Sequence, residues 1–155
     1  MDEPVSAILE YKGTQVETTS PRATVSEAVR AMNRARIGSL VVLDGERPVG
    51  IFTERDVLTR VVDEGRDPDA TVVADVMTRE LAVIRPVTTV RLAMAIMTEK
   101  RCRHLPVVEA GRLAGMISIG DVTRWNIRDQ QHTIDDLVSY IQGEYPYPKA
   151  GLHEA

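Results

Sequence analysis

The chain repeats itself. Shifted by 65 residues, positions 24–57 fall on 89–122 with 11 identities in 34 positions and no gap, where ordinary residue frequencies give roughly two. Thr24-Val25 meets Thr89-Val90, Ala28 meets Ala93, Met32 meets Met97 and Arg36 meets Arg101. Leu40, Val42, Arg47, Gly50 and Asp56-Val57 meet Leu105, Val107, Arg112, Gly115 and Asp121-Val122. Upstream the match resumes at an offset of 68, with Val5 on Val73, so the first copy carries three extra residues around Tyr11-Lys12-Gly13. A chain of this kind must build one small unit twice and pack the two together.

Within one copy, residues 16–19 and 81–84 read as short strands. Thr24 is a good helix N-cap, with Glu27 placed to complete a capping box. Val25, Ala28, Val29 and Met32 then follow at i, i+3, i+4 and i+7, which makes one helical face apolar. Val90, Ala93, Met94 and Met97 repeat that stripe. Leu40-Val41-Val42-Leu43 is a short apolar run, hence a buried strand, and Asp44-Gly45 marks a tight turn into the strand Val49–Phe52. A second helix is expected from Thr53, with Val57, Leu58 and Val61 inward and Gly65 as its C-cap. The order per copy is therefore β-α-β-β-α. Three strands and two helices bury too little alone at ~60 residues. The expected architecture is α+β, two such repeats related by a pseudo-twofold with their sheets packed together.

The expected boundaries are 1–66 for the first repeat, 67–72 for a polar linker and 73–128 for the second repeat. A C-terminal helix is expected over 129–142, where Ile134, Leu137, Val138 and Ile141 form a stripe. The tail 143–155, with Pro146, Pro148 and Gly151, is expected to be disordered.

Composition narrows the function. A formal net charge of −4 sets up no field to draw in nucleic acid or an anionic membrane. One Phe and one Trp make a poor stacking platform for single strands. Cys102 is the lone cysteine, so no internal disulfide and no Cys-rich zinc site is possible. The N-terminus has no basic start with an apolar run, and no stretch approaches the ~20 apolar residues of a membrane span. A soluble, cytoplasmic protein is expected, with neither nucleic acid nor membrane as partner.

Several motifs together resemble a known family. Val73-Ala74-Asp75-Val76-Met77-Thr78 looks like the start of a CBS domain, named after cystathionine β-synthase, and so does Arg103-His104-Leu105-Pro106-Val107-Val108. The pattern Gly-apolar-apolar-Thr/Ser-x-x-Asp occurs twice, as Gly50–Asp56 and as Gly115–Asp121. The resemblance covers roughly residues 5 to 130. It implies a CBS pair, or Bateman module. Such pairs bind adenosine-containing ligands in clefts between the repeats: AMP, ADP, ATP, NAD(H) or S-adenosylmethionine. They often form homodimers, and they regulate some other protein rather than catalyse.

Thr53 with Asp56, and Ser118 with Asp121, have two compatible readings. Either pair forms a helix capping box. Either pair could also bind ligand, the carboxylate accepting from ribose hydroxyls while the hydroxyl and helix-start N–H groups hold a phosphate. The upstream glycine would let a ligand approach the backbone. Arg101, Arg103 and His104 read locally as a helix end whose cations offset the dipole. The resemblance places Arg103 and His104 on the cleft, against phosphates. Their counterparts Gly38 and Ser39 are neutral, so the two clefts should differ. The cleft of Thr53 and Asp56 is expected to draw on Arg103 and His104, and that of Ser118 and Asp121 to face Gly38 and Ser39. Arg55 could reach a phosphate or point to solvent, and Ile37 could flank an adenine. No Ser-His-Asp set, metal constellation or P-loop is present, so no catalytic residue and no metal ligand is assigned. The competing reading is a structural or protein-interaction module with empty clefts.

Overall fold

The computed structural model describes residues 1–144, so most of the expected tail lies outside the described residues. They fall into two compact units, one spanning Met1–Ile119 and the other starting at Gly120.

In the first copy the capping box forms as its residues demand. Thr24 Oγ1 accepts the Glu27 N–H at 3.2 Å, and the Glu27 carboxylate accepts the Thr24 N–H at 3.3 Å. Helix α2 (Val25–Ala35) follows, burying Val25, Ala28 and Met32. It ends at Arg36, held in the left-handed region at φ 54° while the Ile37 N–H closes on the Met32 carbonyl. Strand β1 (Thr18–Thr19) runs parallel to β2 (Ser39–Asp44), which pairs antiparallel with β3 (Arg47–Thr53). The hairpin register runs from Ser39 opposite Thr53 to Asp44 opposite Arg47, with an irregularity at Val42/Leu43.

The alternation along these strands explains the apolar run at 40–43. Leu40, Val42 and Phe52 face the first copy's core, with Val25, Ala28 and Met32 of α2. Val41 and Ile51 point the other way and meet Met116 of the second copy, with Leu43 and Leu113 beside them. Both faces of the sheet are thus covered, and the expected packing of sheet on sheet is present.

The second copy repeats the plan. Thr89 caps α5 (Val90–Lys100), Arg101 ends it at φ 52°, and β4 (His104–Glu109) pairs with β5 (Arg112–Ser118), with the same irregularity at Val107/Val108. The strand expected at 81–84 shrinks to a single bridge between Ile84 and Val107. In the first copy the Val41 N–H donates to Glu17, one rung of the parallel ladder. The matching residue is Pro106, which has no N–H to give.

After β3 the chain enters α3 (Glu54–Asp56) and continues as a π-helical turn, Val57–Val62. The Asp63 N–H reaches the Leu58 carbonyl, a five-residue step. The wider turn rotates Leu58 off the inward face: it is 64% exposed, contrary to expectation, while Val61 is buried and Val57 packs partly on the core. Gly65 then adopts φ 66°, as a C-cap requires. Helix α6 (Ile119–Glu144) is continuous through the apolar stripe at 134–141.

Each copy is also preceded by a leading helix, α1 (Val5–Lys12) or α4 (Val73–Val76). These helices are exchanged. The Val5 N–H donates to Thr88 and the Val90 N–H to Glu3, so α1 docks on the second copy. The Val73 N–H donates to Ala23 and the Val25 N–H to Thr71, so α4 docks on the first. Val5, Ile8 and Leu9 are buried, and Lys12 Nζ reaches the Met116 carbonyl at 2.8 Å. Val73, Val76 and Met77 complete the first copy's core.

Candidate ligand site

Asp56 sits at the first turn after β3, 5% exposed. Its Oδ2 accepts the Thr53 N–H at 3.0 Å, and its own N–H donates to Thr53 Oγ1 at 3.2 Å. The capping reading of Thr53-x-x-Asp56 is therefore realised. Thr78 Oγ1 donates to Asp56 Oδ1 at 3.0 Å, and Arg60 Nε stands 3.9 Å from the same oxygen. Arg60 also donates to the Met77 carbonyl at 2.6 Å. Thr78 and Met77 belong to the segment that precedes the second copy in sequence but docks on the first, so this buried carboxylate ties that segment to the first copy. Sequence reasoning named Thr78 only as part of a family motif, because its partner lies 22 residues away across the repeat boundary.

The helix start has fewer free donors than expected. The Thr53 and Asp56 N–H groups are used in the box, and the Glu54 N–H donates to the Gly38 carbonyl at 3.0 Å. The upstream glycine serves packing rather than ligand approach. A Cβ on Gly50 would lie 2.7 Å from Met77 Sδ and 2.9 Å from the Thr78 carbonyl oxygen. On Gly115 it would lie 2.7 Å from a Leu9 methyl. Both glycines make room for the exchanged leading segments, so the expectation of an open backbone there is corrected.

Strand register joins the remaining candidates copy by copy. Ser39 pairs with Thr53, and Gly38 lies under the Glu54 carboxylate, where a Cβ would meet it at 3.2 Å. His104 pairs with Ser118, and Arg103 accepts the Ile119 N–H at its carbonyl. Ser39 is buried, Thr53, His104 and Ser118 are half-buried, and Arg103 and Arg55 are exposed. Ile37 packs partly on the first copy's core beside Leu40, which is fully buried. In the unit starting at Gly120, Asp121 is 7% exposed and accepts from Arg124 Nη2 at 2.8 Å.

Burial pushes the Cys102 thiol up from its ordinary value, which leaves little thiolate at neutral pH. Among the described residues no three His, Cys, Asp or Glu side chains gather as metal ligands, and no helix is long and apolar enough to cross a membrane.

A duplicated β-α-β-β unit with exchanged leading helices and a buried Asp one turn past each hairpin defines a class of tandem α+β domain pairs. The CBS domain model matches residues 8–63 and again 73–128, and the chain belongs to that family as a CBS pair. Among its relatives is a mitochondrial CBS domain-containing protein of Arabidopsis thaliana, 42% identical over 127 residues. The match covers 79% of this chain and 62% of that protein, so the chain spans less than two thirds of its length. A CBS-domain protein of Agrobacterium tumefaciens superposes with a TM-score of 0.75 at 39% identity, covering 79% of this chain and 98% of that one. A CBS domain protein of Pyrobaculum aerophilum, solved in complex with AMP, gives 0.67 at 26% identity, covering 76% and 88%.

Proposed function

We propose that the chain is a non-catalytic sensor of an adenosyl ligand, an adenine nucleotide before NAD(H) or S-adenosylmethionine, and that it signals by changing shape. The observation that carries this reading is the buried Asp56 carboxylate, held by Thr53 and by Thr78 of the exchanged segment docked beside it. Ribose hydroxyls would take the place of the Thr78 hydroxyl on Asp56. The ligand would then act directly on the segment that leads into the second copy, which is the differential contact a population shift needs. Arg103 and His104, which register sets beside Ser118 in the second copy, are taken to reach across for the phosphates, with Arg55 as a further exposed cation. The AMP bound by the Pyrobaculum protein supports an adenine nucleotide. Two chains are taken to associate as a homodimer in the cytoplasm, acting on a separate regulated protein.

The test is thermal unfolding of the full chain with AMP, ADP, ATP, NAD+, NADH and S-adenosylmethionine, beside Asp56→Asn, Thr78→Val and Asp121→Asn. A ligand at 100 times its Kd adds about 2.7 kcal/mol, a rise of roughly 5–10 °C for a chain of this size. Asp56→Asn is expected to abolish the ligand-induced rise. Absolute melting points are set aside, because the substitution also weakens the capping box. If no ligand moves the melting point, a protein-interaction module replaces this reading. The internal engagement of both Asp56 oxygens favours that alternative.

A further inference from the structure

From Gln130 to Ile141 every residue of α6 is exposed, with no exception on any face. Ile127, Ile134, Leu137 and Ile141 are 61%, 53%, 56% and 53% exposed, and Val138 is 38% exposed. A helical stretch of this length that buries no face is marginal in water, because most helical stability comes from a buried face. The three isoleucines recur every seven residues, with Leu137 three residues after Ile134. This is an a/d seam, about 21 Å long from Ile127 to Ile141 at 1.5 Å per residue. The charges avoid it. Between 126 and 141 the residues Arg128, Asp129, Asp135 and Asp136 all fall at the b and c positions, away from the seam and its flanks. A helix merely facing solvent has no reason to clear one face of charge.

We infer that this seam pairs in parallel with α6 of a second copy of the chain. β-branched residues at a, with Leu137 at one d position and Gln130 at the other, fit a two-stranded parallel seam whose single polar layer fixes the register. Parallel pairing sets Gln130 against Gln130 of the second copy, where the two amides can hydrogen-bond. Antiparallel pairing about Ile134 would press each Gln130 against an apolar Leu137 or Val138 and leave the amide poorly satisfied. No like charges meet in the parallel seam, because the b and c positions point outward. The inference deepens the homodimer named above by assigning its contact surface, and it does not depend on ligand binding at Asp56.

The test uses the full chain. Light scattering is expected to give a dimer, and Leu137→Asp is expected to weaken its association at least tenfold while circular dichroism checks folding. A second variant needs no disruption: Ile127→Cys in a Cys102→Ser background is expected to form a covalent dimer under mild oxidation. A monomeric wild type overturns both the homodimer and this seam. A dimer that survives Leu137→Asp and fails to cross-link overturns the seam alone. Cross-linking only between Ile127→Cys and Ile141→Cys chains overturns the parallel arrangement. AMP-induced stabilisation, measured on the same samples, reports separately on the sensor reading.

Discussion

Gly50 and Gly115 occupy matching positions, yet their neighbours differ in how far they can give. Beside Gly50 stands a backbone carbonyl, that of Thr78, whereas the atoms nearest a Cβ on Gly115 are side-chain carbons of Leu9. A side chain can turn aside, whereas a carbonyl paired to Ile51 cannot move without breaking its bridge. Gly50→Ala is therefore expected to destabilise by about 1–3 kcal/mol, as overpacked cores do, and Gly115→Ala by less. Urea unfolding of both variants checks the order, and equal losses would contradict it. The repeated glycine was plain in the sequence. Its purpose was not, because the atoms that fill the space come from a segment docked across the repeat boundary. The same holds for Asp56: its role as a cap follows from Thr53-x-x-Asp56, but its bond to Thr78 follows from nothing local.

The two long core helices start differently although both begin with Thr. Thr24 is answered by Glu27, while Thr89 has Leu92 at the same position and forms only half of the box. Thr24→Ala is expected to cost about 1 kcal/mol, lowering Tm by roughly 2–4 °C, and Thr89→Ala less, both read from thermal melts. Elements of this kind were legible beforehand. The α2 and α5 stripes, both hairpins and the Gly65 cap each announce themselves through period, turn chemistry or capping pattern within a dozen residues. The leading helices escaped notice because α4 has only four residues and both take their partners from the opposite copy. Leu58 was misplaced because apolar spacing assumes 3.6 residues per turn and the π-helical turn is wider. Pro106 shortened the second parallel ladder by the loss of a single donor.

For the molecule as a whole, the exchange of α1 and α4 means that neither copy's core closes without the other copy's lead. Removing residues 1–12 strips Val5, Ile8 and Leu9 from the second copy. The expected result is loss of cooperative unfolding for the chain, seen by near-UV circular dichroism, and a truncated protein that still melts in one sharp transition would refute it. The arrangement has the anatomy of a domain-swapped dimer whose two subunits have been fused end to end. In a single unfused unit, the leading helix would have to find its groove on another molecule at whatever dilution prevailed. Fusion turns that search into an intramolecular one, at an effective concentration on the order of millimolar for a short tether. Gene duplication would then have done more than double a small domain: it would have made a swapped assembly independent of how much protein is present.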